Sequence, residues 1–138
     1  MENPEHSGAY RRTTEKITVS VEPFFLDEES EPNENIYVWA YHVRIENNGA
    51  ETVQLQSRHW RITDAVGNVR EVNGDGVVGE HPVLKPGESF EYISGAHLPL
   101  PSGIMVGYYQ MKPDGGIPIK VDIPAFSLDS TFEKVRIH

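Results

Sequence analysis

The chain contains no cysteine, which excludes a disulfide framework, a thiolate metal site and a thiol nucleophile. Long apolar runs are also missing. Nothing approaches the roughly 18 residues that a spanning helix needs, and Met1-Glu2-Asn3-Pro4-Glu5 has neither the basic nor the apolar part of a secretory leader. A cytoplasmic location without a membrane partner is the expectation. Basic residues are scarce: 12 Lys+Arg stand against 21 Asp+Glu, for a formal charge of −9. Nucleic-acid binding is not expected, because neutralising phosphates needs a basic patch. The acidity concentrates near Asp27-Glu28-Glu29-Ser30-Glu31 and Glu34, read as a solvated loop. Sustained helical periodicity and internal repeats are absent too.

What is present is alternation. Ile17, Val19 and Val21 alternate with polar residues. Tyr37, Trp39, Tyr41, Val43 and Ile45 form the clearest strand, with His42, Arg44 and Glu46 on its other face. Asn47-Asn48-Gly49 supplies a turn. In the next strand Val53 and Leu55 are odd-numbered but Trp60 and Ile62 even-numbered. A two-residue period cannot keep both pairs on one face, so a β-bulge or a change of sheet is expected within Gln56–His59, which singles out Arg58 and His59. Ala65-Val66-Gly67-Asn68 turns into a short strand at Val69–Val72. Residues from Asn73 to Ser89 look too rich in Gly and Pro for a regular element. Phe90 and Tyr92 open a further strand, and Met105–Met111 with Ile117–Ile123 make a last hairpin. Pro118 and Pro124 remove ladder donors and put its second strand at an edge.

At 138 residues this is one domain: a mobile arm over 1–14, a folded body over 15–128 and a tail over 129–138. About seven short strands predict an all-β, immunoglobulin-like or fibronectin type III-like two-sheet β-sandwich, with Trp39 and Trp60 in its core.

Residues 74–79 read Gly-Asp-Gly-Val-Val-Gly, the glycine spacing of a dinucleotide loop. That spacing means a nucleotide site only between a strand and a helix, and here Pro82 and Lys85-Pro86-Gly87 follow instead. Gly74, Gly76 and Gly79 are therefore read as suppliers of backbone conformation or close approach. Asp75 and Glu80 would repel a phosphate, although a backbone nest for an anion stays open. The length of the segment favours an ordered, functional loop.

No histidine pair has metal-ligand spacing, although folding could bring His59, His81 and His97 together. Ser57, His59 and Asp64 hold the letters of a triad on one strand, without a nucleophile elbow.

Several motifs in order resemble the bacterial ApaG (CorD) family: Arg58-His59-Trp60-Arg61-Ile62-Thr63-Asp64, Val72 through Pro82, Tyr37-Val38-Trp39-Ala40-Tyr41, Leu84-Lys85-Pro86-Gly87-Glu88, Tyr92-Ile93-Ser94-Gly95, the run Gly103, Met105, Gly107 and Tyr109, and Pro124-Ala125-Phe126-Ser127-Leu128. The similarity covers residues 13–128 and departs at Leu98-Pro99-Leu100-Pro101 and Asp129–His138. The resemblance implies a fibronectin type III-like sandwich. It implies by name and phenotype a link to cobalt resistance and magnesium efflux, and, from related eukaryotic domains, a protein-binding role.

The expectation is a non-catalytic module that binds another protein through Arg58, His59, Gly74, Asp75, Gly76, Gly79 and Glu80, without a cofactor. The alternative is a phosphate, pyrophosphate or divalent-cation site on the same glycine loop. Hydrolysis of a nucleotide polyphosphate is a third reading, against which stands the lack of metal-organising carboxylates and a basic clamp. Self-association through an edge strand stays open, although Pro118 and Pro124 blunt that edge.

Overall fold

The computed structural model describes residues 9–130. Nine strands follow one another: β1 (Tyr10–Thr14), β2 (Ile17–Phe25), β3 (Tyr37–Asn47), β4 (Val53–Asp64), β5 (Val69–Asp75), β6 (Val83–Leu84), β7 (Ser89–Leu98), β8 (Ser102–Pro113) and β9 (Ile119–Asp129). They build two antiparallel sheets. One has the order β1-β2-β3-β7; the other has the order β5-β4-β8-β9, with β6 added to β4. The all-β sandwich expected from the alternation is present, with nine strands rather than seven. The acidic loop coils into two three-residue 3-10 turns, Asp27–Glu29 and Pro32–Glu34. No helix among the described residues is long and apolar enough to cross a membrane.

The core lies where the alternation predicts it. Every odd residue of β3 is buried, and Trp39 and Trp60 are 1% and 3% exposed. Tyr41, Trp60 and Phe126 pack edge to face or tilted at 5.5–5.9 Å between ring centroids, a geometry that aromatic quadrupoles favour. The bulge falls inside the expected window: the β4–β8 register shifts between Leu55 and Ser57, leaving Gln56 extra. A second shift lies in β9 around Pro124 and Ala125, so that Val121 and Ile123 before it and Phe126 and Leu128 after it all point inward. That parity change was equally visible in the sequence. β9 is an edge strand, as its prolines require: Pro118 precedes it and Pro124 sits at the bulge.

Three boundaries need correction. Residues 10–14, assigned to a mobile arm, form β1: they pair with Ile17–Val21, and Tyr10 packs 6.1 Å from Phe126. Burial of one aromatic side chain and a ladder of backbone hydrogen bonds outweigh a polar composition. Residues 1–8 of that arm lie outside the described residues. The tail was placed from 129, but Asp129 ends β9, where its carbonyl accepts the Trp39 Nε1–H at 2.9 Å, and Ser130 is 2% exposed; residues 131–138 lie outside the described residues. Finally, Asn73–Ser89 is not irregular throughout. β5 continues to Asp75, Val77 and Glu80 form a bridge, and β6 pairs with β4. The β4 edge offered these residues backbone partners that composition does not reveal.

The β3–β4 connection is held by a buried side chain. Asn47 Nδ2 donates to the carbonyls of Glu51 (2.8 Å) and Leu84 (2.9 Å), and its Oδ1 accepts from Gly49 N at 3.0 Å. One amide thereby satisfies three backbone groups, the buried Leu84 carbonyl among them.

Candidate functional site

Register arranges the outer face of the five-stranded sheet in rows. Past the bulge, the odd residues of β4 point outward. Across β5, β4, β8 and β9 the central row is Asn73, His59, Tyr108 and Asp122; beside it run Glu71, Arg61 and Val106. At one end Val69 and Ile104 flank Thr63 and are 52% and 51% exposed. The His59 ring stacks on Tyr108, 4.9 Å between centroids at 25°, and Lys120 Nζ lies 4.6 Å from the centre of the Tyr108 ring, within cation–π reach. His59 Nδ1 is hydrogen-bonded to Asn73 Oδ1. Glu71 stands 3.8 Å from His59 Nε2 and 3.7 Å from Arg61 Nε, and Arg12 of β1 pairs with Asp122 at 3.1 Å. These side chains edge a shallow groove of about 460 Å³.

The glycine segment is a closed hairpin. Val77 and Glu80 exchange both backbone hydrogen bonds at 2.8 Å, with Val78 (φ 42°) and Gly79 (φ 79°) between them. Two central residues at positive φ are the hallmark of a type I′ turn, whose twist matches a hairpin. Gly76 has φ 63°, and a Cβ there would lie 2.2 Å from the Glu80 carbonyl oxygen. A Cβ on Gly74 would lie 2.6 Å from the Arg58 guanidinium carbon. Each glycine thus has a conformational or close-approach role. Gly76 N donates to the carbonyl of the bulged Gln56, so this donor and those of Val77 and Glu80 are already committed within the chain. Val77 is fully buried and pins the hairpin to the core.

Arg58 and His59, expected on one surface, both border the space over Asn73, Gly74 and Asp75, but their side chains leave β4 on opposite faces, because consecutive strand residues point opposite ways. Arg58 turns to the open edge of the sandwich, where Nη1 donates to Gly76 O (2.7 Å) and Asp75 O (3.2 Å). Behind it stand three tyrosines. Tyr92 and Tyr109 share a hydrogen bond between their hydroxyls, and Tyr41 and Ser94 line the same small space. Burial raises the pKa of all three phenols, against the opposing charge of Arg58.

The chain's relatives settle its kinship. A family profile described as the ApaG domain matches residues 27–113. A protein ApaG of Paramagnetospirillum magneticum is 58% identical over 129 residues, covering 94% of this chain and 99% of the relative. The chain belongs to the ApaG family. A Brucella anthropi ApaG is 62% identical over 120 residues, covering 87% of this chain and 92% of the relative. A crystal structure of a Bordetella pertussis protein described as ApaA has a TM-score of 0.81 at 47% identity, covering 88% of this chain and 97% of that one. The C-terminal domain of wzt, at 10% identity and TM-score 0.52 over 94% of this chain and 86% of that domain, shares the fold alone.

Within this ApaG domain the expected site residues divide into three groups. The Arg58 side chain, Gly74 and Gly76 meet at the open edge; Gly79 and Glu80 form the far side of the hairpin; Asp75 joins Ser57 and His59 on the outer face, and Arg58, His59, Gly74 and Asp75 all border one shallow space of about 440 Å³ there. The triad letters do not assemble. Asp64 accepts the N–H groups of Val66 and Asn68, each at 3.0 Å, and the Asn68 amide at 3.2 Å, so it caps the β4–β5 turn. Burial raises its pKa, but hydrogen bonds from Asn68, Val66 and Gly67 outweigh this and hold it below the ordinary carboxylate value. Among the described residues no three His, Cys, Asp or Glu side chains converge as metal ligands, His59, His81 and His97 included. Tyr108, Lys120 and Arg70 were missed by sequence reasoning: Tyr108–Lys120, Arg70–His97 and His59–Tyr108 join positions 12, 27 and 49 apart, and only the register reveals them.

Proposed function

We propose that this ApaG domain is a non-catalytic adaptor that docks another protein on the outer face of its five-stranded sheet, around His59 and Tyr108. The observation that carries this reading is the central row itself. A partly buried imidazole (26% exposed) is stacked on a phenol ring, with Arg61 and Lys120 beside it and exposed Val69 and Ile104 at one end of the face. Aromatic and guanidinium groups on rigid strands make interface anchors at small entropic cost. From β5 to β9 the face spans three strand spacings, about 14 Å, and its rows extend over about 20 Å. That is the scale of a small, transient contact rather than an obligate one. On this reading the family's link to cobalt and magnesium runs through the partner.

The test places a photo-crosslinking amino acid at Val106, beside the stack, in the native cytosol. One discrete adduct, lost with Tyr108→Ala and kept with Ile93→Ala on the opposite sheet, is the expected outcome. An adduct indifferent to Tyr108→Ala, in a variant with unchanged circular dichroism, sinks the proposal.

A further inference from the structure

Between the edge strands β5 and β7 the two sheets part into a cleft of about 350 Å³, floored by Trp60, Ile62 and Met105 and rimmed by Arg58, Arg70 and Ser94. A smaller space of about 140 Å³ continues it beneath the glycine hairpin and shares Tyr41, Arg58, Trp60 and Ser94 with it. The register explains this composition. On β5 the even residues Arg70, Val72 and Gly74 lie opposite Ile62, Trp60 and Arg58 of β4, so an arginine stands at each end of an apolar floor, Arg58 half-buried and Arg70 exposed on the rim.

No acidic residue lines either space, in a chain that carries 21 Asp+Glu. Among the described residues Arg12, Arg44 and Arg61 each have a carboxylate within 4.0 Å, whereas Arg11, Arg58 and Arg70 have none, and of these only Arg58 and Arg70 line the cleft. Arg58 spends only Nη1 on the hairpin carbonyls. Arg70 Nη2 reaches across the cleft to the carbonyl of His97, 3.2 Å away. The phenols around Arg58 do not supply the missing negative charge, since burial keeps Tyr41, Tyr92 and Tyr109 protonated. A partly buried guanidinium without a counter-charge is costly unless an anion completes it. A guanidinium fork suits a carboxylate or phosphate.

We propose that the β5–β7 cleft binds a small organic anion, its carboxylate or phosphate on Arg58 beside the Ser94 hydroxyl and its apolar body on Trp60, Ile62 and Met105. Arg70 closes the far end. The volume stands at the lower end of small-molecule pockets, enough for a single ring and its head group. Gly74 is part of the design: without a Cβ it leaves the guanidinium its place.

Amide and indole NMR titrations with phenyl phosphate, phenylacetate and inorganic phosphate test this. Saturable shifts of the Trp60 indole and of Arg58, Arg70 and Ser94 with either aromatic anion are expected, and the two probes tell phosphate from carboxylate selection. Inorganic phosphate, lacking the apolar body, should bind at least about tenfold more weakly. Arg58→Gln should weaken binding on the order of tenfold or more. Should that variant unfold, Arg70→Gln on the exposed rim should still weaken it severalfold. Shifts confined to Gly76–Gly79 amides, or to His59 and Tyr108, would overturn the proposal, as would no shift with any probe at millimolar concentration. None of these results moves the adduct at Val106, so the docking face and the cleft stand or fall separately.

Discussion

Three substitutions in the hairpin test whether its glycines serve conformation. Gly79 holds φ 79° with nothing within 4 Å of an added Cβ, so Gly79→Ala meets strain but no clash. The left-handed region costs an L-residue about 1–2 kcal/mol, of which roughly half a kcal/mol returns through a stiffer unfolded chain. A net loss near ~1 kcal/mol is expected. Gly76→Ala adds a collision with the Glu80 carbonyl at 2.2 Å, and main chain cannot swing aside as a side chain can. Relief needs a shift of about 1 Å, which would disturb the paired Val77–Glu80 hydrogen bonds at roughly 1 kcal/mol each and strain the packing of buried Val77. The sum is about 3–5 kcal/mol. Val78→Asn runs the other way: asparagine tolerates the positive φ that valine resists, and Asn-Gly is the favoured type I′ pair. With Val78 54% exposed, a gain of about 1 kcal/mol is expected. Urea unfolding followed by Trp39 and Trp60 fluorescence reads all three, and each kcal/mol should move Tm by roughly 3–5 °C. Equal losses for Gly76→Ala and Gly79→Ala would refute the close-approach argument. A loss for Val78→Asn would refute the assigned turn.

Asn47→Ala should cost about 2–4 kcal/mol in the same assay, since it orphans the buried Leu84 carbonyl and removes three hydrogen bonds; a cost below ~1 kcal/mol would contradict the assigned network. Tyr41, Tyr92 and Tyr109 have folded pKa values raised by burial, so their contribution is complete below the ordinary phenol value near ~10 and is lost as pH climbs above it. Absorbance titration at alkaline pH should therefore show three phenols ionising together with unfolding; smooth ionisation of all six in the folded state would refute their burial. Asp64 has a depressed folded pKa, so its contribution is present above the ordinary carboxylate value near ~4 and is lost as pH falls below it. Asp64→Asn should flatten the acid limb of the stability–pH curve, and an unchanged limb would count against its capping role.

Local pattern determined a good deal here. The odd residues of β3, the parity break between Leu55 and Trp60 and the ordered motifs were enough for the sandwich, the register break and the family, because a period of two is a property of adjacent residues; that the break is a bulge and not a change of sheet came from the strand pairing. Even the reading of Gly74, Gly76 and Gly79 as backbone devices followed from the absence of a helix after Pro82. What only the tertiary structure decided is which distant residues share a row. Sequence reasoning joined Arg58 to His59 because both fall in the window of the expected bulge. The pleat separates them, sending His59 to Tyr108 and Lys120 on the outer face and Arg58 to the tyrosines and Arg70 at the open edge. Strand pairing across tens of residues sets those companions, and no local period encodes it.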